Sequence, residues 1–246
     1  MRIILVALTL ILYSYQANAQ HAASKALEIT HLTGDFYIYT TYNEYKGYQV
    51  PANGTYLVTD EGVAMFDTPW DTTQFQPLLD SILQRHNKRV VMCIATHFHD
   101  DRTGGLEYYR RRGIKTYTTV LTDELSRKNN HKRAEFLIAK DTTFTLGRYR
   151  FETYYPGPGH APDNIVIWFE EQRILHGACL VKNVYDKTLG YLGDANKTEY
   201  ANSVKNVIAR CKDPQYVVTG HGDWTHVRAL KHTLAMAERL RRKSSR

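Results

Sequence analysis

Two histidines and an aspartate follow a short apolar segment, and this arrangement constrains the fold more than any other part of the chain. The apolar run is 90–95 (VVMCIA), and the residues THFHDDR at 96–102 come directly after it. An apolar run of this length is typical of a buried strand. His97, His99 and Asp101 would then lie at a strand end, where a rigid backbone can hold metal ligands. Imidazole and carboxylate together suit a divalent transition metal, most often zinc. The alternative is a polar turn with surface histidines, and three more ligand-type residues downstream argue against it.

The N-terminal residues indicate export. Met1-Arg2 gives a short positive start, 3–13 is almost entirely apolar, and Ala17-Asn18-Ala19 matches a secretory cleavage pattern. The apolar run is too short to span a bilayer stably, which makes a membrane anchor the weaker alternative. We expect residues 1–19 to be a signal peptide and 20–246 to fold as one domain in the periplasm of a bacterium.

The chain is basic, with a formal net charge of +7, but the charge is scattered. The exceptions are 110–112 and the tail 239–246, which are typical of solvated helix faces and a chain end. The tail lacks interleaved aromatic residues, which argues against nucleic-acid binding. A positive field instead favours small anionic substrates. No interface pattern is evident, so we expect a monomer.

Strands and helices alternate after a β-rich start. The patterns predict strands at 36–41, 55–59, 63–66, 88–95, 116–120, 143–146, 149–155, 165–169, 173–177 and 216–219. They predict helices at 74–86, 104–112, 122 to about 140, 198–211 and 227–240. This order favours two packed sheets with helices outside.

Three more ligand-type residues follow predicted strands. They are His160 in the glycine-rich loop 157–164, Cys179 after strand 173–177, and His221 between two glycines. A free thiol is a liability in an oxidising compartment, and zinc ligation would protect Cys179 as a thiolate. The other two cysteines, Cys93 and Cys211, are expected to be structural, and the sequence leaves a disulfide between them open.

The six candidate ligands divide into two sets of three. His97, His99 and His160 can form a three-imidazole site, and Asp101, Cys179 and His221 a mixed oxygen, sulfur and nitrogen site. Three protein ligands leave open positions, which marks catalytic rather than structural zinc. Two such metals favour hydrolysis at a carbonyl or a phosphorus. Four other histidines are expected to be surface or supporting residues: His131, His226 and His232 in helical patterns, and His176.

These motifs resemble the metallo-β-lactamase superfamily over essentially the whole mature chain. The segment 97–101 matches its His-x-His-x-Asp signature. Most hydrolases of the superfamily have a second histidine where this chain has Arg102, and a bridging aspartate where it has Cys179. At those two positions the chain instead resembles the broad-spectrum dizinc branch of the class B β-lactamases. It also resembles that branch in the segments 67–70, 104–105 and 193–195. The resemblance implies an α/β fold, the αβ/βα four-layer sandwich, with the site in a groove between the halves.

The resemblance also implies a reaction. It is zinc-dependent hydrolysis of the β-lactam amide bond of penicillins, cephalosporins and carbapenems, which confers antibiotic resistance, by attack of a zinc-bound hydroxide. Two zinc ions per chain are implied, with Asp101 orienting the nucleophile. Lys182 would pair with the substrate carboxylate, and Arg102 and Asp67 would support the ligands. Tyr191 stands where many members carry a carbonyl-binding Asn, so it is a candidate substrate contact. The segment 41–48 falls at the family's mobile flap.

Two alternatives stay open from the residues. The first is another hydrolase of the same superfamily, acting on a thioester, lactone or phosphoester, against which Arg102 and Cys179 argue. The second is a non-catalytic periplasmic zinc-binding protein, against which the open coordination positions argue.

Overall fold

Two β-sheets packed face to face form the centre of the protein. The computed structural model describes residues 27–139 and 141–244, so the predicted signal peptide lies outside the described residues. The first sheet runs in chain order through β1 Glu28–Thr33, β2 Phe36–Tyr45, β3 Tyr48–Thr59, β4 Gly62–Phe66, β5 Val90–Ile94, β6 Lys115–Thr119 and β7 Phe136–Ile138. The second comprises β8 Thr142–Leu146, β9 Tyr149–Tyr154, β10 Val166–Phe169, β11 Ile174–Ala178 and β12 Tyr216–Thr219, in the order β12-β11-β10-β9-β8. The helices are α1 Phe75–His86, α2 Asp100–Thr103, α3 Leu106–Arg110, α4 Val120–Lys128, α5 Tyr200–Arg210 and α6 Ala229–Ser244.

The period-two alternation of the strands creates the layers. On β4, Ala64 and Phe66 point into the core between the sheets, while Val63 and Met65 point to the outer face. Strand β10 does the same, with Ile167 and Phe169 inward. Because both faces of these strands are covered, they are apolar throughout, as buried strands require.

Helices complete the outer layers. Phe75, Leu78 and Ile82 of α1 are buried against the outer face of the first sheet. Residues of α5 and α6, including Tyr200 and Leu230, pack on the outer face of the second sheet. The layer order is therefore helix, sheet, sheet, helix, which confirms the predicted αβ/βα sandwich. No helix in the described part of the chain is both long enough and apolar enough to cross a bilayer.

The single long helix predicted from 122 to about 140 is wrong. Helix α4 ends at Lys128, and the chain then turns through Asn130, which has a left-handed φ of 57°. The apolar residues that prolonged the helical pattern, Phe136 to Ile138, instead form β7, which pairs in parallel with β6. Pairing at a sheet edge outweighed the local periodicity there.

The predicted flap is the tip of the β2–β3 hairpin. Its strands pair in register from Phe36↔Leu57 to Tyr45↔Tyr48, so the loop contains only two residues. Those residues, Lys46 and Gly47, have φ values of 52° and 80°. Two successive positive φ angles are typical of the tight turn whose twist matches the flanking strands.

The loop that carries His160 is fixed from several sides. Asn164 Oδ1 accepts from Ala161 N at 3.0 Å, and Asn164 Nδ2 donates to Gly157 O at 3.0 Å. Ile165 N donates to Thr96 O at 2.9 Å, which ties the loop to the end of β5. Asp163 is buried in this loop, and burial raises the pKa of its carboxyl to about 7.

We expect Asp163 to make the protein less stable as the pH rises from about 4 to about 7. An unfolded aspartate loses its proton near pH ~3.9, so the folded state binds more protons across that range. Asp163→Asn removes this pH dependence. The free energy of unfolding of the variant minus that of wild type should therefore rise with pH, by up to ~1.4 kcal/mol per pH unit. Urea unfolding across the range measures it, with exposed Asp60→Asn as the control. A pH-independent difference between Asp163→Asn and wild type would contradict the expectation.

Candidate metal centre

All six candidate ligands lie at one edge of the two sheets. His97, His99 and Asp101 follow β5 of the first sheet. The other three come from the second sheet and follow its strands: His160 after β9, Cys179 after β11 and His221 after β12. Each sheet therefore supplies three donors, and four of the six, His99, Asp101, His160 and His221, line a groove.

The three imidazoles form one cluster. His97 Nε2 lies 3.1 Å from His99 Nδ1, which lies 3.2 Å from His160 Nε2. Two nitrogens bound at ~2.0 Å to a tetrahedral zinc ion would be about 3.3 Å apart, so both distances fit the ion. Burial, and then the neighbouring cationic or imidazole groups, lower the pKa of His97 and of His160 well below its usual value. Both rings are therefore neutral near pH 7, as metal ligation requires.

The mixed donors form the second cluster. Cys179 Sγ lies 3.3 Å from His221 Nε2 and 3.4 Å from Asp101 Oδ2, and the last two atoms are 3.0 Å apart. Bonds of ~2.3 Å to sulfur and ~2.0 Å to nitrogen would give about 3.5 Å, so this set also fits zinc. Burial alone would lower the pKa of His221, but Cys179 and Asp101 outweigh it and raise the pKa to about 9. These donors therefore favour positive charge between them.

The two clusters adjoin. The donor atoms of His97, His99 and Asp101 lie within 4.8 Å of one another, and so do those of His97, His160 and Cys179. Each group contains residues of both clusters, so ions held in the two clusters would be close neighbours. The donor set is closed to solvent except at the groove, because His97, Cys179, His160 and Asp101 are all buried.

Hydrogen bonds fix the orientation of two of the rings. His221 Nδ1 donates to Pro51 O at 2.8 Å, which leaves Nε2 for the cluster. His99 Nε2 lies 3.0 Å from Asp194 Oδ2, which leaves Nδ1 for the cluster. Such partners hold metal-binding imidazoles in the required tautomer. Asp194 was not among the site residues predicted from the sequence, although its segment 193–195 was part of the family resemblance.

Arg102 lies fully buried beneath the mixed cluster. Its Nε and Nη2 contact Asp101 Oδ2 at 3.2 and 3.0 Å, and Nη1 contacts Asp67 Oδ2 at 3.3 Å. Nη1 also donates to Asn53 O at 2.7 Å, and Nη2 to Gly220 O at 2.9 Å. Burial acts to lower the pKa of Arg102, but nearby anionic groups outweigh it, so the guanidinium stays charged.

The groove above the clusters has a volume of about 610 Å³. Lys182 lines it and is only 7% exposed, so it is not an ordinary surface lysine. Tyr191 is half exposed on the wall, with its ring 5.8 Å from that of His99. His131 also lines the groove, from the loop after α4 and not from a helix, and its Nδ1 donates to Phe98 O at 2.6 Å. Because a helix was wrongly predicted at 122–140, His131 was expected to be a surface residue and not part of the groove.

All three cysteines are buried and free, so Cys93 and Cys211 do not form a disulfide. They belong to different core regions, Cys93 between α1 and the first sheet and Cys211 between the second sheet and its helices.

Comparison with known proteins identifies the family. The model of the metallo-β-lactamase superfamily matches residues 47–221. A type 2 metallo-β-lactamase of Elizabethkingia meningoseptica is 41% identical, over 92% of this chain and 91% of its own length. One of Bacillus cereus is 37% identical, over 85% and 81% respectively. The solved structure of a metallo-β-lactamase from Pontibacter korlensis matches with a TM-score of 0.83 at 35% identity, over 86% of this chain and 99% of that one.

The chain therefore belongs to the metallo-β-lactamase superfamily, and within it to the class B metallo-β-lactamases. It is a metal-dependent hydrolase, which confirms the family and the enzyme class predicted from the sequence.

Asp194→Ala should weaken metal binding at the three-imidazole cluster, because His99 would lose the partner that orients its ring. Loss of such a partner typically lowers metal affinity by ~10–100-fold. Competition with a chromophoric chelator measures the affinity, and Asp80→Ala on the exposed side of α1 is the matched control. Equal affinities in the two variants would remove Asp194 from this role.

Proposed function

We propose that this enzyme hydrolyses the β-lactam amide bond of penicillins, cephalosporins and carbapenems with two zinc ions per chain, and so confers antibiotic resistance. The observation that carries the proposal is the pair of adjoining three-donor clusters, four of whose residues line one open groove. Relatives named as metallo-β-lactamases, at 36–41% identity over most of the chain, support the same reaction.

His97, His99 and His160 would hold one ion, and Asp101, Cys179 and His221 the other. When bound, the ions lower the pKa of water to near neutrality and stabilise the negative charge that develops on the lactam oxygen and nitrogen. The carboxylate of Asp101 would orient the attacking oxygen. Because most of the ligands are buried, competing water is kept away from their donor atoms.

Lys182 is proposed to bind the carboxylate of the substrate. Among the described residues, no carboxylate forms an ion pair with its ammonium, although the residue is buried in the groove wall. Burial lowers the pKa of Lys182, and an anionic ligand would offset that effect. Tyr191 is proposed as a weaker contact, since its exposed ring stands beside His99 at the groove wall.

Hydrolysis of a thioester, lactone or phosphoester by the same clusters is the second candidate. Cys179 and Arg102 favour the β-lactam reaction instead, because most other hydrolases of the superfamily have an aspartate and a histidine there. We propose a monomeric enzyme acting in the periplasm, in line with the predicted signal peptide at residues 1–19.

Turnover of a carbapenem and a cephalosporin by the purified chain 20–246 tests the proposed function. The expected result is hydrolysis that a chelator abolishes and added zinc restores. Thioester, lactone and phosphoester substrates are assayed in parallel. Turnover of one of these with none of the β-lactams would overturn the proposal in favour of the second candidate.

Cys179→Ser should weaken the second ion and lower kcat for a β-lactam, because a hydroxyl is a poorer zinc ligand than a thiolate. The fold should survive, since serine is nearly isosteric with cysteine. Zinc content after dialysis and steady-state kinetics measure the two effects. The matched control is Cys211→Ser, a buried cysteine at the end of α5 that belongs to neither cluster. Wild-type zinc content and rate in Cys179→Ser would remove this residue from the site.

A further inference from the structure

His176 is a fully buried polar residue between the two sheets. It lies on β11, three residues before Cys179, in the face that packs against the first sheet. Its Nδ1 is 2.9 Å from Thr55 Oγ1 on β3, and its Nε2 is 2.9 Å from Asp67 Oδ2 after β4. The ring of the apolar residue Phe66 is centred 6.3 Å from its own. A buried imidazole in such surroundings keeps its place only when both nitrogens are satisfied.

The Asp67 carboxylate receives donors on both oxygens. Oδ1 accepts from Thr96 N at 2.8 Å and from Thr96 Oγ1 at 2.7 Å. Oδ2 accepts from His176 Nε2 at 2.9 Å and from Arg102 Nη1 at 3.3 Å. The backbone at Asp67 is held at a φ of 69°, in the left-handed region that non-glycine residues rarely adopt. Surrounding bonds must hold a residue in such a conformation, and His176 supplies one of them.

The hydrogen bonds form one continuous column from the core to the mixed cluster. It runs from His176 through Asp67 and Arg102 to Asp101, and every side chain in it is buried. Its last atom, Asp101 Oδ2, lies 3.4 Å from Cys179 Sγ. The guanidinium therefore lies between two carboxylates, and its position depends on how strongly each one attracts it.

We infer that His176 is a positioning residue for the second metal site, acting through Asp67 and Arg102. With His176 donating to Asp67 Oδ2, that carboxylate attracts Arg102 less strongly, and the guanidinium keeps its two shorter contacts with Asp101. Without His176, Asp67 has one donor left on Oδ2 and draws Arg102 away from Asp101. Asp67 also contacts the imidazole cluster indirectly, because its Oδ1 holds Thr96 Oγ1, which lies 3.3 Å from His97 Nδ1. His176 and Arg102 both bind the other oxygen, Oδ2, so the effect is greatest at the mixed cluster. This inference rests on the proposed two-metal site.

Titration with Co²⁺ tests the inference without using turnover. Thiolate ligation of Co²⁺ gives a charge-transfer absorption, so the band from Cys179 reports the mixed cluster alone. In His176→Leu, which keeps the bulk but removes both hydrogen bonds, the first equivalent should bind as in wild type. The second should bind ~10-fold more weakly, with a shifted or weaker thiolate band. His176→Gln, whose amide can still donate to Asp67, should restore most of the affinity.

Ile167→Ala is the matched control, because Ile167 is fully buried and pairs with His176 across β10 and β11. It should lower the stability of the same sheet while leaving both Co²⁺ affinities unchanged. The inference, but not the proposed function, would be overturned by either of two results. The first is wild-type Co²⁺ affinities and an unchanged thiolate band in His176→Leu. The second is a loss of Co²⁺ affinity in Ile167→Ala equal to that in His176→Leu. A wild-type chain that binds one ion, or gives no thiolate band, would overturn the proposed two-metal site together with the inference.

Discussion

The site depends on a buried cation, Arg102, held between two carboxylates. Removing a guanidinium from water costs several kcal/mol unless charge and hydrogen bonds replace the solvent. Asp67 and Asp101 supply the charge, and the carbonyls of Asn53 and Gly220 accept the remaining donors. Those partners come from both sheets, so Arg102 is satisfied only when the sheets are packed in their native register. Forming the core and forming the mixed cluster are therefore one event.

The same packing explains why the donors meet. Strand ends of the two sheets face each other across the groove, and hydrogen bonds tie the loops after them to the sheets. Asn53 is one such link: its Nδ2 donates to Thr219 O at 3.0 Å and Gly222 O at 2.9 Å, which fixes the loop of His221 against β3. Hydrogen bonds from side chains to the backbone thus hold the donors in place. Preorganisation of this kind lowers the cost of binding and keeps open positions directed to the groove.

Much of this arrangement could be predicted from the sequence because the signals are local. Apolar runs followed by His, Cys or Asp mark strand ends, and period-two alternation marks the layers. The sandwich and the grouping of the six donors could therefore be predicted from the sequence. The column through His176 was not, because its partners Thr55 and Asp67 are more than one hundred residues away in the chain. The loop of His131 was missed for a different reason: an amphipathic pattern continued past Asn130, and only sheet pairing by β7 ended the helix. Burial of Lys182 likewise follows from packing between elements and not from its neighbours in sequence.

A crystal structure of the zinc-loaded enzyme would show directly whether both clusters bind metal. We expect two ions ~3.5–4 Å apart. One should be held by His97, His99 and His160 and the other by Asp101, Cys179 and His221, with Arg102 still paired to both carboxylates. A single ion, or a second ion held by residues outside this set, would contradict this expectation.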